Sequence, residues 1–354
     1  MTGTKSGSSR RTFLTIASKA GAAVALGAGP FITVPGKARG ADNLVIVSYG
    51  GSYGDFVRDE LNKPFTVKTG IGVDMVAGPD LAKVKAQVMS KNIEWDIFDG
   101  SGAQFLSGSK EGFWEPLDTN IIDTAKLLTK HEADALPFFI YTGGVAWDPA
   151  KTNPPARDFK QFWDVQKFPG RRGLRTRVSE IIEMALLADG VEPSKLYPLD
   201  LERGFKALER IKKDIKKWFE QTTQGITLIQ TNECDYTYTY ANRVKAAKDS
   251  GISIDFSFEQ NISALDYLAV LRGSKRKEAA MRYLEFVTSP DRQAAMVEKL
   301  SIISVTKGVA EKASPAARKW VPNLNNPKSI VVNDRYWADK FIEVDKRFKE
   351  WILT

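Results

Sequence analysis

Hydrophobic residues in this chain alternate between short continuous runs and runs with helical spacing. The run NLVIVSYGG is apolar, rich in β-branched residues and closed by two glycines, which is typical of a buried parallel strand. The next segment places Phe56, Leu61 and Phe65 at helical intervals and ends at Gly70, so it predicts a helix. A strand at IGVDMVAG, a helix capped by Asp80 and a strand at WDIFDG follow. This β-α-β-α-β order predicts a parallel sheet with helices on both faces.

Two later apolar runs predict strands that cross between two domains. The first covers residues 138–147 and contains Gly143–Gly144, which predicts a break in the strand; the second is ISALDYLAV, around Asp266. Another set of α/β segments lies between them, as expected for a domain inserted into the first. We therefore predict an α/β protein with two lobes, each a mostly parallel sheet flanked by helices, joined by two crossing strands. Lobe 1 comprises residues 41–142 and 266–354, and the second range includes the C-terminal helices. Lobe 2 comprises residues 143–265.

The N-terminal 40 residues have the pattern of an export signal. A basic start leads to Arg10–Arg11 in SRRTFLT, then to an Ala/Gly-rich run and small residues near Gly40, as in twin-arginine signals. A membrane anchor fits poorly because Lys19 interrupts the run. We expect cleavage after Gly40 or Ala41. The signal holds six basic residues and no acid, so its removal lowers the net charge from +8 to +2 and leaves no support for nucleic-acid binding.

Cysteine and histidine are too rare for several classes of function. The only cysteine, Cys234, cannot form an internal disulfide. One cysteine and one histidine, His131, are also too few to ligate zinc, haem or an iron–sulfur cluster. The chain also contains no GxGxxG motif. The sequence therefore predicts neither a cofactor or metal site nor an enzyme.

Three tyrosines alternate with threonines in CDYTYTYANR. In a strand, Tyr236, Tyr238 and Tyr240 would share one face. They are either core residues, the wall of a ligand site, or phenolate ligands of a ferric ion. The tyrosines are spaced along the strand rather than adjacent in a cleft, which disfavours a ferric-ion site.

Five segments, in order, resemble the extracellular solute-binding proteins of bacterial ABC importers, in the group that includes the spermidine/putrescine-binding proteins. They are WDIFDGSGAQFLSGSKEGFWEPLD, DFKQFWDVQKFPGRRGLR, SEIIEMALLADGVEPSKLYPLD, YANRVKAAKDSGISIDF and LDYLAVLRGSKRKEAAMRYLEFVTSPDRQAAM. The resemblance implies the type II periplasmic binding fold, with two lobes that close on a solute. It also implies a periplasmic monomer whose partners are the solute, the permease subunits at the inner membrane and, during export, the twin-arginine translocase.

The resemblance also implies acidic and basic site residues. Asp266 matches an acid that pairs with an amine in polyamine binders, and Glu180 matches a second carboxylate. Arg177 stands where the family has an aspartate, and Ala264 where it has an aromatic residue. Alternatively, Arg177 and Glu180 form a surface pair at a helix start, worth about 0.5 kcal/mol, and Asp266 is a solvated strand-end residue.

Aromatic and polar candidates complete the site. The family has an aromatic residue near Tyr240, at the carboxyl end of its strand, whereas Tyr236 and Tyr238 lie deeper and are expected in the core. The remaining candidates are Tyr49 and Tyr53 after the first strand, Ser101 in the DGSGAQ turn, and Asn242, which is expected to cap the next helix.

The substitutions divide the expected ligands into two classes. A linear diamine needs a carboxylate at each end and aromatic walls between them. Arg177 instead suits a carboxylate or phosphonate, because a guanidinium binds such groups in a bidentate manner. Family resemblance therefore favours a polyamine such as putrescine or spermidine, while the specific residues favour a zwitterionic, amino-acid-like solute or an organic acid.

Overall fold

The strands form one mixed sheet in which two parallel halves flank two long antiparallel strands. The computed structural model of the chain describes residues 43–354; the predicted export signal lies outside them. The sheet order is β2-β1-β3-β9-β4-β7-β5-β6, with β8 and β10 paired to β4 and β11 paired to β9. The strands are β1 Leu44–Ser48, β2 Val73–Ala77, β3 Ile97–Ser101, β4 Leu136–Trp147, β5 Arg172–Arg175, β6 Ile215–Phe219, β7 Tyr236–Tyr240, β8 Asp255–Phe256, β9 Ile262–Val270, β10 Ile303–Ser304 and β11 Ile330–Val331.

Strand direction separates the sheet into the two expected lobes. In lobe 1, β2, β1 and β3 are parallel, and in lobe 2, β7, β5 and β6 are parallel. The pairs β3–β9, β9–β4 and β4–β7 are antiparallel. The long strands β4 and β9 thus lie between the lobes, as predicted for crossing strands. The residue boundaries of the lobes stay a prediction.

Helices connect the strands within each lobe. The helices are α1 Gly51–Phe56, a π-helical segment Val57–Asn62, α2 Lys63–Thr69, α3 Leu81–Ser90, α4 Gly102–Lys110, α5 Phe159–Trp163, α6 Val178–Ala188, α7 Leu201–Lys212, α8 Gln224–Gln230, α9 Ala241–Asp249, α10 Lys277–Val287, α11 Pro290–Leu300, α12 Pro315–Arg318 and α13 Asp334–Leu353. Short 3₁₀ turns cover Thr124–Lys126, Pro193–Lys195 and Ala310–Lys312. None of the helices within 43–354 is long and apolar enough to cross a membrane.

The local signals in the first helices are confirmed. Gly70 ends α2 with φ +75°, a conformation that glycine adopts without penalty. Asp80 caps α3 by accepting hydrogen bonds from the backbone N–H groups of Ala82 and Lys83.

The predicted break at Gly143–Gly144 is wrong, because β4 continues through both glycines. Their role is close packing. A Cβ at Gly143 would lie 2.1 Å from the hydroxyl of Tyr238, and one at Gly144 would lie 2.6 Å from the amide of Asn261. The small residues therefore let the side chains of neighbouring elements lie directly against the crossing strand.

The C-terminal helix α13 packs against helices of both lobes, α4 and α6. Trp337 of α13 is fully buried and donates its indole N–H to Glu183 of α6 at 2.6 Å. Tyr197 donates to the same carboxylate oxygen of Glu183 at 2.6 Å. Burial raises the pKa of Glu183 to about 7 although these donors oppose the shift.

Candidate functional site

Side chains from both lobes meet in a cleft beside β4 and β9. The cavity between them has a volume of about 30 Å³, about the size of one water molecule, so the side chains of the two lobes nearly fill the cleft. Residues of the cleft come from the turn and helix after β1, from β4 and β9, from the segment before α6, and from the junction of β7 with α9. They are Tyr49, Tyr53, Phe139, Tyr141, Arg177, Thr222, Tyr240, Asn242, Arg243 and Asp266.

Arginines of lobe 2 reach across the cleft to lobe 1. Arg177 donates from Nη2 to the hydroxyl of Tyr49 at 3.1 Å, and Arg243 donates from Nη1 to the carbonyl of Gly50 at 2.9 Å. Their guanidinium groups also lie 5.7 Å from the ring centre of Tyr49 and 5.8 Å from that of Tyr53, respectively. The lobes are therefore held in contact through the residues that line the cleft.

Glu180 lies beneath the cleft, and its carboxylate is fully used by the protein. Oε1 accepts hydrogen bonds from the hydroxyl of Tyr141 at 2.9 Å and from Arg177 at 3.3 Å. Oε2 accepts from the hydroxyls of Tyr238 at 2.9 Å and Tyr240 at 3.1 Å. The backbone at Glu180 has φ +81°, a strained conformation for a non-glycine residue. The strain places this side chain at the centre of four donors, so the buried charge is compensated.

Beside the cleft, two further arginines are buried and have no carboxylate partner among residues 43–354. Arg175 donates to the hydroxyl of Tyr240 and, at 2.8 Å, to the carbonyl of Glu220, while its buried Nε has no partner within 43–354. Among the described residues, Arg243 donates only to the carbonyl of Gly50 and the hydroxyl of Ser52, at the start of α1. Each is 6% exposed, and burial lowers the pKa of Arg243 to about 10. A buried guanidinium without an anion makes this side of the cleft favourable for a carboxylate.

The opposite charge lies on β9. Asp266 is 0% exposed, and neither of its carboxylate oxygens accepts a hydrogen bond from an N–H group or a hydroxyl within the described part of the chain. Burial and then the negative charge of Asp99 raise the pKa of Asp266 well above its ordinary value. Asp266 therefore presents two unused acceptors in a site that excludes water, which favours a cationic donor.

Aromatic rings form a continuous wall between these charged groups. Successive ring centres are 6.1 Å apart for Tyr49 and Tyr53, 5.6 Å for Tyr53 and Phe139, 6.4 Å for Phe139 and Tyr141, and 5.3 Å for Tyr141 and Tyr240. All four contacts are tilted or edge-to-face, the arrangements that aromatic pairs prefer. The wall offers an apolar surface for a short alkyl chain.

The structure brings most of the predicted site residues together. Six of the eight line the cleft: Tyr49, Tyr53, Arg177, Tyr240, Asn242 and Asp266. Glu180 supports it from below. Ser101 does not line it, because its hydroxyl and backbone N–H both point to Oε1 of Gln104 at the start of α4. Whether these residues contact a solute stays a prediction.

Three local expectations are corrected. Asn242 does not cap α9, because the helix begins at Ala241 with Tyr240 at the cap position; its amide has no partner within 43–354 and lines the cleft instead. The Arg177–Glu180 pair forms at 3.3 Å, but Glu180 is buried and the side chain of Arg177 is only 12% exposed, so the pair does not lie on the surface. Asp266 is likewise buried rather than solvated.

The remaining tyrosines of β7 differ in their roles. Tyr236 is a core residue, as expected, and its hydroxyl accepts the backbone N–H of Ala156 at 3.3 Å. Tyr238 is equally buried, yet its hydroxyl belongs to the donor set of Glu180.

Four residues at or beside the cleft were not predicted from the sequence: Phe139, Tyr141, Arg243 and Asp99. Phe139 and Tyr141 alternate on the predicted crossing strand, so strand periodicity could have placed them on one face. Arg243 carries no such signal, because it lies among the polar and basic residues of α9.

Comparison with known proteins identifies the family. The family described as bacterial extracellular solute-binding protein matches residues 60–323 of the chain. The chain belongs to this family. The prediction of a binding protein rather than an enzyme is thereby confirmed, as are the α/β fold class and the role as solute-binding component of an ABC importer.

Relatives within the family bind different small amines. The chain is 27% identical to the gamma-aminobutyric acid-binding protein of Pseudomonas aeruginosa over 88% of its own length and 91% of the relative's. It is 21% identical to the putrescine-binding periplasmic protein SpuD of Pseudomonas aeruginosa, over 82% and 85%. The solved structure of the Atu4243 GABA receptor is 32% identical, with a TM-score of 0.78 over 88% of this chain and 97% of that one. These relatives bind different solutes, so the solute of this chain has to be inferred from the chemistry of its cleft.

Proposed function

We propose that this solute-binding protein captures an ω-amino acid of the γ-aminobutyrate class, with an ammonium at one end and a carboxylate at the other. The observation that supports it is the separation of charge in the cleft. Within residues 43–354, Asp266 is a buried carboxylate that accepts no N–H group or hydroxyl, and Arg243 is a buried guanidinium with no carboxylate partner. Each buried charge is costly alone, and a zwitterion supplies both missing partners at once.

The proposed orientation follows from these groups. The ammonium binds Asp266, whose two oxygens accept its hydrogen bonds. The carboxylate binds on the arginine side, where Arg243 and Arg177 line the cleft and the free amide of Asn242 adds a donor. The alkyl chain lies along the aromatic wall. The relatives that bind γ-aminobutyrate support the same class of solute.

A polyamine is the second candidate, supported by the putrescine-binding relative and by the two acids Asp99 and Asp266. A diamine also needs an anion at its far end. Glu180, the acid expected there, already accepts four hydrogen bonds, one of them from Arg177. A second ammonium would therefore approach arginines without a free carboxylate, which is unfavourable.

The ferric-ion reading has less support. A phenolate ligand would require Tyr238 or Tyr240 to lose its hydroxyl proton, yet both hydroxyls donate to Glu180. Burial, followed by the charge of Glu180, also raises the pKa of Tyr238 well above its ordinary value. Iron binding would have to break both hydrogen bonds.

A thermal-shift screen with matched four-carbon probes tests the proposal, since a ligand of the folded state raises Tm by mass action. The probes are γ-aminobutyrate, putrescine, butylamine and butyrate. We expect a shift with γ-aminobutyrate that exceeds the other three. A larger shift with putrescine would favour the polyamine, and a shift with butyrate alone would favour an organic acid. No shift with any amine would contradict the assignment of the cleft.

We further propose that the protein works in the periplasm after twin-arginine export and delivers its solute to the permease as a monomer. The family match supports an extracellular solute-binding role. Arg10–Arg11 and the cleavage near Gly40 lie outside the described residues, so export by this route rests on the sequence. Fractionation of cells that express the full chain tests it, with mature protein expected in the periplasm.

A further inference from the structure

Asp99 and Asp266 form a buried pair of carboxyls next to the cleft. In the antiparallel β3–β9 pair, Asp99 lies opposite Leu268, and Ser101 lies opposite Asp266. The two aspartates are thus diagonal neighbours, and their side chains point to the same face of the sheet. Both are 0% exposed. The pairing of the strands therefore holds two acids side by side, away from water.

The groups around this pair stabilise one negative charge but not two. Oδ2 of Asp99 accepts hydrogen bonds from the hydroxyl of Ser48 at 2.5 Å and from Tyr53 at 2.9 Å. Its Oδ1 and both oxygens of Asp266 receive no N–H group or hydroxyl within the described part of the chain. The other titratable or charged groups that face the pair are Tyr49, Tyr283, Arg177 and Asp334.

Only one of these neighbours is a cation, and it is already engaged. Arg177 pairs with Glu180 and donates to Tyr49 and Tyr141. Two adjacent carboxylates without a cation of their own repel each other strongly, so they share a proton in preference to ionising together. Burial raises the pKa of Asp99 as well as that of Asp266.

We propose that Asp99 and Asp266 hold one proton between them in the ligand-free protein and release it to solvent when the solute's ammonium binds Asp266. The pair carries one negative charge with its proton and two without it. The ammonium arrives already protonated and adds one positive charge, and one proton leaves, so charge and atoms balance. Asp99 is thus a positioning residue, which acts on the solute through Asp266.

This inference rests on the proposed amine ligand and predicts how binding depends on pH. The ammonium stabilises the doubly ionised pair, so it lowers the pKa of the pair in the complex. Affinity then rises with pH, by up to about tenfold per pH unit, until the ligand-free pair itself ionises, and levels off above that point.

Calorimetric titration with γ-aminobutyrate in two buffers of different ionisation enthalpy, at about pH 7, measures the protons released. The wild-type protein should release a measurable fraction of a proton, and at most one proton, per solute bound. Asp99→Asn removes the second acid of the pair, so the number of protons released per bound solute should fall well below the wild-type value. Ser48→Ala removes a donor to the Asp99 carboxylate, so it should shift the levelling-off of affinity to higher pH.

Asp334→Asn is the matched control. Asp334 is a partly buried acid near the pair, with its Oδ1 shielded from solvent; it does not line the cleft, and burial of the carboxyl raises its pKa to about 8. This variant should release as many protons as the wild type. Tight binding without proton release by the wild type, or loss of release in Asp334→Asn, would overturn the shared proton while the proposed function stands. No binding of any amine would overturn both.

Discussion

Replacement of Asp266 by asparagine separates a binding residue from a residue that stabilises the fold. The substitution keeps the size of the side chain and one acceptor oxygen but removes the charge. In the wild type, both carboxylate oxygens are buried and accept no N–H group or hydroxyl from residues 43–354, so the proton proposed to be shared with Asp99 is the one hydrogen bond they contribute to the ligand-free protein. Their expected partner is the ammonium of the solute.

The magnitude follows from this arrangement. Loss of one partner of a buried charge pair costs about 2–5 kcal/mol, largely because the other charge is left unpaired. The asparagine still accepts one hydrogen bond, so the lower part of that range applies. We expect a loss of about 2–3 kcal/mol, which is about 30- to 150-fold in Kd. The free energy of unfolding of the ligand-free protein should stay equal or rise, because a buried carboxyl with a raised pKa does not favour the fold at neutral pH.

Calorimetry and denaturant unfolding measure the two quantities, with Asp96→Asn as the control. Asp96 is also buried and lies next to β3, but it accepts hydrogen bonds from Val45, Ser274 and Arg276. Its replacement should lower the free energy of unfolding by about 1–3 kcal/mol and leave Kd nearly unchanged. Unchanged Kd in Asp266→Asn, or equal loss of stability in the two variants, would refute the reasoning.

Three further predictions concern charge, pH and export. Arg243→Gln should weaken γ-aminobutyrate at least tenfold and leave putrescine unchanged or tighter in calorimetry; equal weakening of both would contradict a carboxylate site at Arg243. The folded protein holds the Asp334 proton more tightly than the unfolded chain, since burial raises this pKa to about 8. The free energy of unfolding should therefore fall as pH rises from about 4 to about 8, at up to about 1.4 kcal/mol per pH unit for this group. Asp334→Asn should remove this group's part of the slope of the free energy of unfolding against pH, measured by denaturant titrations. An unaltered slope would contradict the raised pKa of Asp334. Replacement of Arg10–Arg11 by two lysines should leave precursor in the cytoplasm on immunoblots, and normal export would show that the signal was misread.

The sequence predicted the fold well where its signals are local or periodic. Apolar runs predicted the parallel strands β1, β2 and β3 of lobe 1, and Gly70 and Asp80 marked the helix ends where they occur. Gly143–Gly144 misled because a glycine pair suggests a break, whereas here it makes room for the side chains of Tyr238 and Asn261. That reason depends on contacts with distant parts of the chain, which local propensity does not report.

The site was predicted in outline, because the resemblance supplied Asp266, Arg177 and Tyr240. The sequence could not show which charges are already paired. Glu180 looked like a free ligand for an amine, yet hydroxyls from β4 and β7 meet on it once the sheet forms. Arg243 was not predicted as a site residue, but the fold directs it across the cleft to the carbonyl of Gly50. Both observations move the expected solute from a diamine toward a zwitterion.

The most direct test of the zwitterion model is a crystal structure of the protein with γ-aminobutyrate. The model predicts that the ammonium nitrogen lies within hydrogen-bond distance of both Asp266 oxygens, about 2.7–3.2 Å, and that the carboxylate contacts Arg243 or Arg177. The methylene groups should lie against the rings of the aromatic wall. A solute bound in the reverse orientation, or outside this cleft, would contradict the account.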